Sequence, residues 1–93
     1  MNMTTYDKIV ICDCMDKLIA IASKLLDCNE IPLSDATHMN ELLDEAMLHA
    51  YGSTKLRIRH IKKLGLSGTA PNAILTRTFP IINECEFVKT WIM

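Results

Sequence analysis

The 93-residue chain has little of the material that turns and sheets need: three Gly, three Pro and five aromatics, Tyr6, Tyr51, Phe79, Phe87 and Trp91. That scarcity argues against a turn-rich all-β fold and leaves the core to Leu, Ile, Met and Ala, which favour helices. The chain also lacks an apolar run of the roughly 18 residues that a membrane span requires. Asp7, Asp13, Asp16, Lys17 and Lys24 interrupt its most hydrophobic segment. A secretory leader needs a basic start and an unbroken apolar stretch, and here the start carries Asp7 while the following run is broken at Asp13. The expected location is therefore intracellular, in the cytoplasm.

Catalytic signatures are missing as well. No nucleophile elbow, paired-carboxylate motif or glycine-rich strand-to-helix turn occurs, and GLSGTAPN lacks the apolar strand before it and the Lys-Thr or Lys-Ser after it that a phosphate loop uses. The expectation is a protein that is not an enzyme and carries no cofactor. Cys12 and Cys14 suggest a metal pair, but residues two apart on a helix point about 200° from one another and cannot share an ion. Cys12, Cys14 and Cys28 fall among large aliphatics, so reduced, buried thiols are expected. His38 and His49 lie eleven residues apart, close to three turns, and do not form a ligand sphere either.

With 49% apolar and 23% charged residues and a mean hydropathy of +0.16, the chain has enough apolar material for one core. Its length fits a single domain over residues 1–93. Residues 5–27 contain no Gly or Pro and repeat apolar side chains at Ile11, Met15, Leu18, Ala22 and Leu25, the spacing of one helix face. A second row, Cys12, Ile19 and Leu26, and a third, Cys14 and Ile21, flank it. The apolar arc is wider than one neighbouring helix covers. This long first helix is expected to be either the central strut of the domain or an oligomer interface, with Ile11, Met15, Leu18, Ala22 and Leu25 carrying self-association or partner association.

Residues 28–34 read as a linker in which Pro32 stops helix propagation, with Ser34 capping a second helix from Asp35 to about Tyr51. That helix has an acidic side of Glu41, Asp44 and Glu45, and Gly52 ends it in the left-handed conformation. Ser53 or Thr54 then caps a third helix ending at Gly65, although the alternation Leu56, Ile58, His60 also fits a short strand. Beyond Pro71 the pattern suggests a short helix over Asn72 to Thr78, with Pro80 separating it from a last helix whose Ile81, Cys85, Val88 and Ile92 share a face. The expected fold is all-α: a compact single domain of four to five helices.

Charge divides the chain. Residues 1–54 hold three bases against nine acids, a net −6; residues 55–93 hold seven bases against two acids, a net +5. Lys55, Arg57, Arg59, Lys62, Lys63 and Arg77 lie in a stretch without a single acid. Within it HIKKLGLSGTAPNAIL resembles the helix-turn-helix of small transcription regulators, over about a quarter of the chain. Gly65-Leu66-Ser67 matches the turn, and Ala70, Asn72, Ala73 and Arg77 fall on the recognition helix. The resemblance implies DNA contact through the six bases. Ile61 departs from the small residue usual at its position, and Pro71 falls inside the recognition helix.

An overall pI near 6.3 and an acidic first half weigh against nucleic acid as the main partner. The reading that follows is a non-enzymatic regulatory or inhibitory adaptor that binds a protein partner as a homo-oligomer. A helix-turn-helix regulator using residues 55–77 is the alternative.

Overall fold

The computed structural model describes residues 3–25, 32–65 and 74–92, and these form four helices with no strand among them. Helix α1 spans Thr5–Lys24, α2 Leu33–His49, α3 Gly52–Gly65 and α4 Ile74–Ile92. The helical option for the 53–64 segment holds.

The starts of the first three helices have local causes. Thr4 caps α1: its hydroxyl accepts from the Asp7 amide at 3.1 Å, while the Asp7 carboxylate accepts from the Thr4 amide at 3.0 Å. This reciprocal pair satisfies amides that the helix itself leaves open. Helix α2 begins earlier than expected. Pro32, not Ser34, holds the position before the first turn, its carbonyl accepting from the Ala36 amide at 3.0 Å, and no side chain caps the end. Ser34 and Asp35 thus lie inside the first turn, where proline's fixed φ still permits the chain to enter a helix. Gly52 adopts φ 59°, a left-handed conformation costly for any side chain. That residue already opens α3, so Ser53 and Thr54 sit in its first turn and do not precede it.

The largest departure is at Pro80. In place of two helices separated by this proline, α4 continues through it to Ile92. A proline inside a helix removes one amide donor and crowds the carbonyl four residues back. The helix tolerates that because Ile81, Cys85, Val88 and Ile92 just beyond it are all buried, and packing of such a face outweighs local propensity. Asn72 and Ala73, the start of the expected short helix, lie outside the described residues.

The helices run up, down, up, down. Asp7 near the start of α1 meets His49 at the end of α2, Lys62 in α3 meets Asp44 in α2, Arg57 early in α3 meets Glu84 late in α4, and Lys89 late in α4 reaches Asp16 in α1. Helix α1 packs on α2 and α4, and α3 packs on the same two from the other side. Helix α1 is therefore one wall of a four-helix bundle measuring 40 × 19 × 18 Å. One core joins all four: Ile11, Met15 and Leu18 from α1, Met39, Leu43 and Ala46 from α2, Ile58 and Ile61 from α3, Ile81, Cys85 and Val88 from α4. No helix among the described residues is long and apolar enough to cross a membrane.

Candidate interaction surface

The row expected to join two chains lies inside one. Ile11, Met15, Leu18 and Ala22 are fully enclosed and Leu25 nearly so. A second chain reaches that face only if the bundle opens. The wide apolar arc is explained differently: the flanking Val10, Cys12, Ile19 and Ile21 are partly buried against the core. Leu26 lies outside the described residues.

The basic residues separate into two groups. Lys62 donates to Asp44 Oδ1 at 2.7 Å, and Arg57 sits 3.7 Å from Glu84 Oε2, so these two are neutralised within the chain. The 3.7 Å separation is too long for a hydrogen bond, and Glu84 Oε2 is buried without one. The Arg57 guanidinium is also held by the ring faces of Phe87 and Trp91, 4.3 and 5.4 Å from their centroids. Lys55, Arg59 and Lys63 are exposed, with no ion pair among the described residues. The Arg77 side chain lies outside the described set.

Helices α3 and α4 lie side by side in opposite directions, since Arg57 in the early part of α3 touches Glu84, Phe87 and Trp91 in the late part of α4. A DNA-reading pair crosses at a steep angle so that its second helix projects into the groove. Here that second helix turns Ile81, Cys85, Val88 and Ile92 into the core. The residues that resemble the turn after Gly65, with Ala70, Pro71, Asn72 and Ala73, lie outside the described residues.

A feature the sequence reading missed is the distribution of exposed apolar side chains. Tyr6 and Ile9 begin α1, Leu48 ends α2, Tyr51 lies in the turn, Leu56 is in the first part of α3, and Phe87 and Trp91 are in the last part of α4. In an up-down-up-down bundle these positions all fall at the same end. All seven large apolar side chains exposed among the described residues are there, Leu48 the most open at 80%. Single exposed apolar residues are ordinary; it is their concentration at one end that is unusual here. Met3, Lys8, Thr54, Trp91 and Ile92 line an open groove at the same end. A signal was present in the sequence: Ile9, Leu48 and Leu56 stand on the helix side opposite the core rows, close to helix ends.

That end is also internally braced. His49 Nδ1 donates to Asp7 Oδ1 at 2.9 Å; the carboxylate only accepts, so the ring proton sits on Nδ1. The Tyr6 ring meets the His49 ring edge-on at 5.6 Å. The His49 hydrogen bond, followed by the Thr4 amide, holds the Asp7 carboxyl below the ordinary carboxylate range. The pair is 42 residues apart in sequence, so no local pattern could reveal it. His38 and His60 are exposed.

Nothing among the described residues groups three or more His, Cys, Asp or Glu side chains as a metal site would. Cys14 is buried and Cys12 half-buried, while Cys28 lies outside the described residues. Cys85 is the most enclosed thiol: burial pushes it up to about 12, and pushes Cys14 up to about 11. Thiols so far from ionising at neutral pH are poor nucleophiles and poor ligands. No protein-family model, curated protein or solved structure matches the chain.

Proposed function

We propose that this chain is a non-enzymatic regulatory or inhibitory adaptor that works as a homo-oligomer and docks a protein partner on its apolar end. The observation that supports this reading is the collection of Tyr6, Ile9, Leu48, Tyr51, Leu56, Phe87 and Trp91 at one end of the bundle. Aromatic and Arg side chains are the usual energetic centres of protein contacts, and here Arg57 lies over Phe87 and Trp91. The stack orients two large rings at low entropic expense, which favours a firm contact once a partner covers them. An acidic first half and the side-by-side arrangement of α3 and α4 both weigh against the DNA-binding alternative.

The test is partner capture by the full chain with a photoreactive residue placed at position 9 or 87, compared with one placed at the exposed Thr37. A partner crosslinked from the first two positions and absent from the third supports the proposal. In the double variant Ile9→Ser, Trp91→Ser the same partner is expected to bind at least about tenfold more weakly, while Ala20→Ser at an exposed position of α1 leaves it bound. Equal crosslinking from all three positions removes the apolar end from the mechanism.

A further inference from the structure

Helices α2 and α3 are neighbours of opposite charge. Helix α2 carries Asp35, Glu41, Asp44 and Glu45 and no Lys or Arg; α3 carries Lys55, Arg57, Arg59, Lys62 and Lys63 and no acid. Beyond the Lys62–Asp44 bond between them, much of that charge faces solvent. Glu41, Arg59 and Lys63 are exposed without an ion pair among the described residues, and the Asp44 side chain remains 57% exposed.

The spacing on the two helices is reciprocal. On α2 the exposed residues Glu41, Asp44 and Leu48 follow the i, i+3, i+7 pattern of a single stripe; on α3 Leu56, Arg59 and Lys63 do the same. Because the helices run in opposite directions from the turn at Ala50–Tyr51, both leucines lie near the turn. The two stripes then span the same length, seven residues or about 10.5 Å at the helical rise.

We propose that a second copy of this chain docks on the α2–α3 face through a two-fold axis parallel to the helices. Such an axis keeps heights along the bundle and exchanges left for right, so α2 of one protomer faces α3 of its partner. Leu48 then meets Leu56 of the partner subunit, Asp44 meets Arg59 of the partner subunit, and Glu41 meets Lys63 of the partner subunit. Every contact occurs twice, as a closed isologous interface requires. The occupant is argued from charge: the face is its own complement under this one rotation, whereas a polyanion such as nucleic acid meets the acids of α2 beside the bases of α3. Opposed charges set register and choice of partner, and the leucines supply area removed from water. This deepens the homo-oligomer part of the proposed function and rests on it: the dimer covers Leu48 and Leu56 of the apolar end and leaves Ile9, Phe87 and Trp91 open.

Two charge-inverted variants test it, each followed by sedimentation equilibrium near 100 μM protein and low salt, on the order of the conditions where screening is weak. One is Arg59→Glu with Lys63→Glu; the other is Glu41→Lys with Asp44→Lys. Wild type is expected to be a dimer whose dissociation constant rises on the order of tenfold or more between low and high salt. Each variant alone places like charges opposite one another and is expected to be monomeric. An equimolar mixture of the two is expected to form a heterodimer, because all four opposed pairs are attractive again. Circular dichroism confirms that each variant folds; if one does not, the neutral pair Lys63→Gln and Glu41→Gln replaces it, each expected to weaken the wild-type dimer. A monomeric wild type, a dimer that survives either inversion, or folded variants that stay apart when mixed overturns the proposal. Nucleic acid that binds wild type in place of a second copy and is released by Arg59→Glu, Lys63→Glu also overturns it. None of these failures touches crosslinking from positions 9 and 87, so the apolar-end reading stands or falls separately.

Discussion

Replacing Leu18 by Ala separates a core residue from an interface residue. Leu18 is fully buried near the middle of α1, in the core that all four helices share. Truncation removes three carbon atoms, a transfer loss of about 2.4 kcal/mol at roughly 0.8 kcal/mol per group. A cavity left by incomplete relaxation adds to this, which places the cost within the ~2–5 kcal/mol typical of Leu to Ala in cores. A chain of this size has a total stability of about 5–14 kcal/mol, so a loss near 3 kcal/mol is a large share of it. The melting midpoint should fall by roughly 12–24 °C. Ile9→Ala, at a side chain 62% exposed, should change stability by no more than about 0.5 kcal/mol. Urea unfolding followed by circular dichroism, with both variants and wild type side by side, gives the comparison. If the row from Ile11 to Leu25 were a joint between chains, Leu18→Ala would weaken association and leave the protomer's own midpoint in place. Equal midpoints for Leu18→Ala and Ile9→Ala refute the core assignment.

Acid stability should report the bond between Asp7 and His49. A carboxyl whose folded value is depressed adds stability that is present above its unfolded value and lost as pH falls through the folded one. Wild type is therefore expected to be more stable than Asp7→Asn at pH 6, with the gap closing below pH ~4; a gap independent of pH rules the bond out. The thiols give a second reading: at pH 8 Cys85 and Cys14 should react with an aromatic disulfide reagent far more slowly than the half-buried Cys12, and all four cysteines should react quickly in urea. Native Cys85 reacting as fast as the unfolded thiol contradicts its burial.

The class of fold was legible because the apolar spacing of three and four residues runs through α1 and α2 without interruption, and Ile11, Met15, Leu18, Met39, Leu43 and Ala46 are buried as that spacing requires. Helix ends were less legible. Pro32 and Pro80 were both read as breaks, yet one opens α2 and the other lies within α4, because proline's local effect is weighed against packing that the sequence does not display. The Thr4–Asp7 capping pair had a three-residue signature, with Asp where Glu or Gln is usual. The interaction surface was the least legible. Pattern reading asks which apolar residues share a face, and so it selected the Ile11–Leu25 row, which the chain consumes itself. Ile9, Leu48 and Leu56 share no helix, and only the up-down-up-down order puts the stretches that carry them at one end of the bundle.

The charge pattern of α2 and α3 poses a physical question that a lone protomer does not answer. Like charges four residues apart on a helix repel by about 0.2–0.5 kcal/mol per pair, and the chain accepts this at Glu41 with Glu45, at Lys55 with Arg59 and at Arg59 with Lys63. Interspersing the signs would remove the repulsion and keep the same solubility. Among the described residues Lys62–Asp44 is the ion pair that joins the two helices, and Arg57 is drawn the other way, toward Glu84 and the rings of α4. Segregated signs become favourable when each stripe meets its opposite. A single copy does this only at Asp44, while Glu41, Arg59 and Lys63 are exposed without an ion pair among the described residues. A two-fold partner turns both repulsive rows into attractive ones at once, and does so in only one register, the one in which Leu48 and Leu56 also meet. In the proposed dimer the segregation that disfavours the monomer specifies the assembly, and Ile9, Phe87 and Trp91 stay open for a different protein.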